Sequence, residues 1–206
     1  MGHLLVEHWR RLTGTVHPDD EPFLRARPHR FNLDFPPPAF LGDVVNAPVI
    51  LLFANGGYDA VLTAEEFADL AAVDAHFRRL HRAEAPELTE IAAYYATKAY
   101  SGWLASGDVA IVNAVAYRSP RLSTERDNRR IIPHLPSYRV HRRWMIEQLL
   151  PEVSREERLV VVHRNGLWRI DRARAPKGVL FSPAPAASHL SRSTVRSIQD
   201  FLDARA

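Results

Sequence analysis

The chain contains no cysteine. Disulfides, thiol nucleophiles and cysteine-ligated iron–sulfur clusters are therefore excluded. No apolar run approaches the roughly 20 residues of a membrane span. The opening MGHLLVEHWRRL lacks the long apolar segment of a signal peptide. No membrane partner and a cytoplasmic location are the expectations. Nor is there a His-x-x-x-His pair, a carboxylate-rich metal pattern, a Gly-x-Ser-x-Gly elbow or a phosphate-binding Gly-Lys-Ser/Thr loop. His76 and His81 fall at i,i+5 on a predicted helix, a poor spacing for a shared ion, and His134 and His141 flank a loop and a helix start. No metal site and no cofactor are expected. Repeats and linkers are also missing, so residues 1–206 read as a single domain.

What is present is ordinary globular composition: 206 residues, 46% hydrophobic and 25% charged, enough for one good-sized core. Lys and Arg number 27 against 24 Asp and Glu, a net +3. That balance permits a nucleic-acid partner without requiring one. The central stretch is Pro48–Asp59, PVILLFANGGYD. Val49 to Phe53 is an unbroken apolar run of strand length, as in a parallel sheet covered on both faces. Asn55-Gly56-Gly57 then makes a polar turn.

Around this hub the pattern alternates. Residues 3–12 suit a short amphipathic helix with Leu4, Leu5 and Trp9 on one face. Residues 13–48 read as an ordered wrapping arm, because Phe23, Phe31, Phe35 and Phe40 need burial; Pro36, Pro37 and Pro38 forbid helix or central strand there. Thr63-Ala-Glu-Glu66 is a capping box opening a helix that carries Phe67, Leu70, Phe77 and Leu80. Pro86 starts another, with Leu88, Ile91, Ala92, Tyr95, Ala99 and Trp103 on one stripe. Val109–Val112 is a second strand, Leu159–Val162 a third, Gly178–Phe181 a fourth. Val140–Leu150 is a basic helix with Trp144, Met145 and Leu149 inward. Ser154-Arg-Glu-Glu157 suits the cap of a short turn. Ser191–Ala204 closes the chain as a helix with Val195, Ile198 and Leu202 inward. The expected fold is α/β: three layers, α/β/α, around a central, mostly parallel four-stranded sheet, with residues 1–47 as N-terminal helix and arm. A monomer is the expectation.

Parallel strands place their carboxyl ends along one rim. Three polar segments fall there: Asn55, Asn113 and Ser182–Ser193. Asn55 can position water through its carbonyl oxygen, and Gly56 and Gly57 let backbone amides approach a ligand; the same residues suit an ordinary turn. Asn113 offers a donor and an acceptor side by side, matching the O4 and N3–H edge of a uracil-like base, or else ties down loop backbone. Ser188, Ser191, Ser193 and Arg192 can contact phosphates with Leu190 as an apolar wedge; the alternative is a Pro-Ala loop with an ordinary helix cap. Arg129-Arg130 and Arg142-Arg143 suit either a nucleic-acid backbone or a solvated helix face.

Together these stretches resemble the uracil-DNA glycosylase superfamily. Phe53-Ala54-Asn55-Gly56-Gly57 is similar to the Gly-Ile-Asn-Pro-Gly motif of its mismatch-specific branch. Ala110-Ile111-Val112-Asn113-Ala114-Val115 resembles Leu-Leu-Leu-Asn-Ala-Val. Ala186-Ala187-Ser188-His189-Leu190-Ser191 lies against His-Pro-Ser-Pro-Leu-Ser. Gly56 stands where the motif has proline, and Ala186 where it has histidine. The resemblance implies DNA as partner and hydrolysis of the N-glycosidic bond of uracil or a related damaged base. It implies that Asn55 holds the water, that Asn113 reads the base, and that Phe53 or Tyr58 stacks on it. Tyr58 or Tyr117 would exclude a 5-methyl group. Ser188, Leu190, Ser191 and Arg192 would contact DNA, and His189 would replace the missing donor. Two rivals stand beside this reading: a non-catalytic binder of nucleic acid or nucleotide with the same pocket, and a hydrolase of small nucleoside-like substrates.

Overall fold

A computed structural model describes residues 2–182 and 189–205. It shows an α/β fold on one mixed, mostly parallel sheet of five strands, in the order β1-β3-β2-β4-β5. The strands are β1 (Phe40–Leu41), β2 (Val49–Phe53), β3 (Val109–Asn113), β4 (Leu159–Val162) and β5 (Val179–Phe181). The three central strands are wholly buried, as continuous apolar runs require. β2 pairs in parallel with β3, Val49 beside Val109 and Phe53 beside Asn113. On its other side it pairs in parallel with β4, Val49 beside Leu159.

The fifth strand corrects the expectation of four. Phe40 and Leu41 pair antiparallel with Val112 and Ile111. Prolines bar a chain from central strands but not from joining an edge just after them, so the arm finishes the sheet. Phe31 and Phe40 are buried as expected, and Phe23 and Phe35 half-buried.

Side chains alternate across the sheet. Ile50, Leu52, Val112 and Val160 enter one apolar cluster, with Trp9 of helix α1 (Leu4–Trp9) and Trp144 of the later basic helix. Val49, Leu51, Ile111 and Val161 enter the other, with Leu104 and Ile198. Both faces are therefore covered. Helix α2 (Glu21–Ala26) lies in the arm.

Several helix starts differ from the local reading. Asp59, not Thr63, caps α3 (Ala60–Glu66): its Oδ1 accepts from the amides of Val61 and Leu62, both at 3.0 Å. A second aspartate, Asp69, caps α4 (Leu70–Arg82) through the Ala72 amide. The predicted single helix is thus broken at Phe67, and Leu70 is left 82% exposed. The stripe after Pro86 is also divided. A turn at Leu88–Glu90, with its own Glu87/Glu90 capping box, precedes α5 (Ala93–Ala96) and α6 (Ser101–Ser106). Beyond β3 come α7 (Arg126–Ile131) and α8 (Pro136–Trp144), the latter starting on the proline favoured in a first turn. A π-helical stretch, Met145–Leu149, joins α8 to α9 (Leu150–Ser154). Ser154 therefore ends a helix rather than capping one. α10 (Asn165–Trp168) follows β4, and α11 (Arg192–Asp203) closes the chain with Ser191 as its cap.

His141 of α8 locks the first face to the rim. It is fully buried. The Trp9 indole donates to its Nε2 at 2.8 Å, and its Nδ1 donates to the Asn113 carbonyl at 2.6 Å. A second ring proton would meet the indole N–H head-on. Burial, followed by the charge of His17, lowers its pKa from 6.5 to about 4, against the opposing pull of the Asn113 carbonyl. The unfolded chain therefore takes this proton first as pH falls. The contribution is intact above pH 6.5 and declines toward pH 4, by about 3 kcal/mol. Proton NMR of the imidazole at pH 5 is expected to show a neutral ring for His141; a protonated shift there would contradict the locked tautomer.

Candidate functional site

The chain leaves β2 toward β3 and later returns to β4 on the opposite side of β2. The carboxyl ends of β2 and β4 thus flank a topological switch point, where open α/β sheets bind ligands. A cleft of ≈ 690 Å³ opens there. Phe53, Asn55 and Gly57 line it from β2 and its turn. His163, Arg164 and Asn165 line it from the end of β4, and Ser119 to Thr124 from the loop after β3. Tyr94 and Tyr95 close another side.

Asn55 is half-buried. Its Nδ2 donates to the Ser119 carbonyl at 3.3 Å and to Ser119 Oγ at 3.1 Å. That commits the donor end of the amide and leaves Oδ1 to accept from a water or ligand. Phe53 is 4% exposed and meets Tyr100 and His163 edge-on. Its carbonyl accepts from the Trp168 indole at 2.9 Å. Gly57 sits at φ +68 with open space around a would-be Cβ, so the backbone angle alone selects glycine. Gly56 is glycine for another reason: a Cβ would lie 2.3 Å from Pro38 Cγ. It is a packing residue and does not line the cleft.

The structure does not bring Asn113 to this cleft. Asn113 is 2% exposed, its Nδ2 donates to the Pro38 carbonyl at 2.6 Å, and its Oδ1 is buried without a partner. It lines a neighbouring cavity of ≈ 490 Å³ with Glu66, His76 and Tyr95. Burial raises the Glu66 carboxyl even though Arg118 bonds both its oxygens at 2.8 Å. Burial, reinforced by Arg118 and Arg79, lowers His76 to about 3. Tyr95 lies on the walls of both cavities, and burial pushes its phenol well above its ordinary value. The two amides therefore do not enclose one common space.

The remaining predicted positions scatter. Tyr58 lines neither cavity, and Tyr117 is buried with its hydroxyl donating to Asp20 at 2.7 Å, so neither forms a side wall. Ser188 lies outside the described residues. His189 is exposed, with Nε2 3.3 Å from Lys98 Nζ, and does not line the cleft. Leu190 packs against the second apolar cluster, which argues against a free wedge. Ser191 is occupied as the cap of α11, accepting from the Thr194 amide at 3.1 Å. Arg192 is exposed at the first turn of that helix and, with Leu190, borders a shallow groove on it.

Residues the sequence reading missed carry the charge. Arg121, Arg129, Arg164 and Arg172 line the cleft, and no aspartate or glutamate among the described residues does. The two buried arginines are matched, Arg118 with Glu66 and Arg158 with Glu152. Among the described residues Arg121, Arg129 and Arg172 make no ion pair, and Arg172 lies over the Phe181 ring at 4.4 Å. The same strand-end rule that selected Asn55 and Asn113 would have selected His163 and Arg164 had it been applied after the third predicted strand. No protein-family model, curated protein or solved structure matches this chain.

Proposed function

We propose that the protein binds a DNA strand and holds one extruded nucleotide in the switch-point cleft. The observation that carries this reading is one cleft lined by four arginines together with Phe53, Tyr94 and Tyr95, and by no carboxylate among the described residues. Arginines serve phosphates, and aromatic faces serve bases. Extrusion from the stack costs a few kcal/mol, which those contacts must exceed.

The resemblance to uracil-DNA glycosylases, with their three-layer α/β/α fold, extends the proposal to base excision. Asn55, anchored by Ser119, accepts a hydrogen bond from the attacking water through Oδ1 and so orients it. The water oxygen bonds to the sugar carbon, the N-glycosidic bond breaks, the base leaves with the electron pair, and the proton lost by the water ends, through solvent, on the departing base. The donor toward that base is His163, which lines the cleft, rather than His189, which does not. Base reading is withdrawn from Asn113, whose amide serves the adjoining cavity and Pro38.

The test uses a labelled single-stranded oligonucleotide with one uracil. Binding is expected to weaken steeply with salt, and an abasic product is expected. Asn55→Ala and His163→Ala should each slow its formation about 100-fold or more while changing affinity only a few-fold. Tight binding with no abasic product would leave the binder and remove the enzyme. No binding at low salt would overturn the nucleic-acid reading altogether.

A further inference from the structure

The cleft continues past the loop after β3. A groove of ≈ 520 Å³ shares Pro120, Arg121 and Thr124 with it and adds Arg30 and Arg126. We propose that this groove carries the strand flanking the extruded nucleotide on one side, with phosphates on Arg30 and Arg126, so that the partner is a polynucleotide and not a free nucleoside. The inference rests on the nucleic-acid reading of the cleft.

The first observation is uncommitted charge. Arg30, Arg121, Arg126, Arg129 and Arg130 are exposed, and none of them makes an ion pair among the described residues. Arg11, Arg25 and Arg155 are also exposed, yet each closes on a carboxylate at 2.5 to 2.8 Å. Arg126, Arg129 and Arg130 stand at i, i+3 and i+4, so α7 gathers them on one face. Arg129 lies on the cleft and Arg126 on the groove. Free guanidiniums in a row suit successive phosphates.

The second is that the arm holds Arg30 in place. The Arg30 amide donates to Asn128 Oδ1 at 2.6 Å. Asn128 is fully buried and donates from Nδ2 to Glu125 Oε2 at 2.7 Å. Two residues on, the Asn32 amide donates to the Arg118 carbonyl at 2.9 Å. The Phe31 ring lies 5.9 Å from that of Tyr117. The arm is thereby fastened along the loop after β3. A guanidinium on a fixed backbone loses less freedom on binding than one on a loose tail.

The third concerns the groove's two carboxylates, Glu125 and Asp127. Glu125 is turned to the protein, accepting from the Arg121 amide at 3.4 Å as well as from Asn128. Asp127 makes no ion pair among the described residues, so it leaves the arginines free but repels a phosphate. The groove shares no residue with the β4 wall of the cleft. It therefore serves one flank of the nucleotide.

The test compares three labelled oligonucleotides: a trinucleotide with a central uracil, and two heptanucleotides that extend it by four nucleotides on the 5′ or on the 3′ side. Two added phosphate contacts steepen the slope of log affinity against log salt by about 1.4. One heptanucleotide should therefore bind more tightly than the trinucleotide, by a margin that shrinks about sevenfold between 50 and 200 mM salt. The other should behave like the trinucleotide. Arg30→Gln with Arg126→Gln should bring the favoured heptanucleotide to the trinucleotide's slope and leave trinucleotide affinity within about twofold. Asp127→Asn should tighten the favoured heptanucleotide about twofold. Trinucleotide binding with no gain from either extension, an equal gain from both, or an unchanged slope in the double variant overturns the groove alone. Binding of none of the three at low salt overturns the cleft reading and this inference with it.

Discussion

Replacing Arg121, Arg129 and Arg172 together with glutamine is expected to remove most of the salt-sensitive affinity for single-stranded oligonucleotides. All three are exposed cleft residues without an ion pair among the described residues, so the fold should survive. Each phosphate contact on a single strand adds about 0.7 to the slope of log affinity against log salt. Three contacts give a slope near −2, or a loss of roughly 20-fold between 50 and 200 mM salt. The triple variant should show a much flatter salt dependence, so that its deficit against the natural chain is roughly 20-fold greater at 50 mM than at 200 mM. Arg142→Gln with Arg143→Gln is the control, since Arg143 lies 4.0 Å from Glu147 on α8 and neither residue lines the cleft. That pair should change affinity less than twofold. Fluorescence anisotropy at several salt concentrations reads both numbers. A triple variant with an unchanged slope would move the phosphate track elsewhere.

Asp20→Ala should destabilise the protein by about 3–5 kcal/mol, a large part of the 5–15 kcal/mol typical of a domain. Asp20 is fully buried. Its Oδ2 accepts from the Tyr117 hydroxyl at 2.7 Å, and its Oδ1 from the Ser137 amide at 3.0 Å. Ser137 is in the first turn of α8, whose own N-cap, Leu135, offers no side-chain acceptor. Asp20 is thus a cap supplied from 117 residues away, and its charge meets the positive end of that helix. Alanine would strand both donors out of reach of water. Asp20→Asn keeps one oxygen for the amide and should lose less than half as much. Urea unfolding at pH 7 measures the difference, and a loss under 1 kcal/mol for alanine would show that the network relaxes freely.

Much of the fold was legible because its cause is local. The runs Val49–Phe53, Val109–Val112 and Leu159–Val162 are continuous and apolar, and a buried parallel strand needs nothing more. Ser191 was readable as a cap from its own neighbourhood. Local reading failed where two neighbours compete for one role. Thr63-x-x-Glu66 has the form of a capping box, yet Asp59 lies one turn earlier and captures the free amides first, which puts Thr63 inside the helix. Gly56 and Gly57 look alike in sequence. One is required by the closeness of Pro38 and the other by its own φ.

The candidate site was legible as a rim but not as a cavity. Chain order alone predicts that strand ends meet; it does not say how far each strand runs. Phe53 pairs with Asn113, so Asn113 stands two residues short of Asn55, and its amide turns to Pro38 and the adjoining cavity. What the sequence by itself determined is the alternation of strands and helices, the absence of thiols, the lack of any apolar run long enough for a membrane-spanning helix, and the polar character of the strand ends. Those depend on the period and polarity of neighbouring residues. The fifth strand, the trans cap from Asp20, the arginine-lined cleft and the parting of the two asparagines were decided only by tertiary structure. Each depends on register between segments tens of residues apart, and no local pattern carries that register.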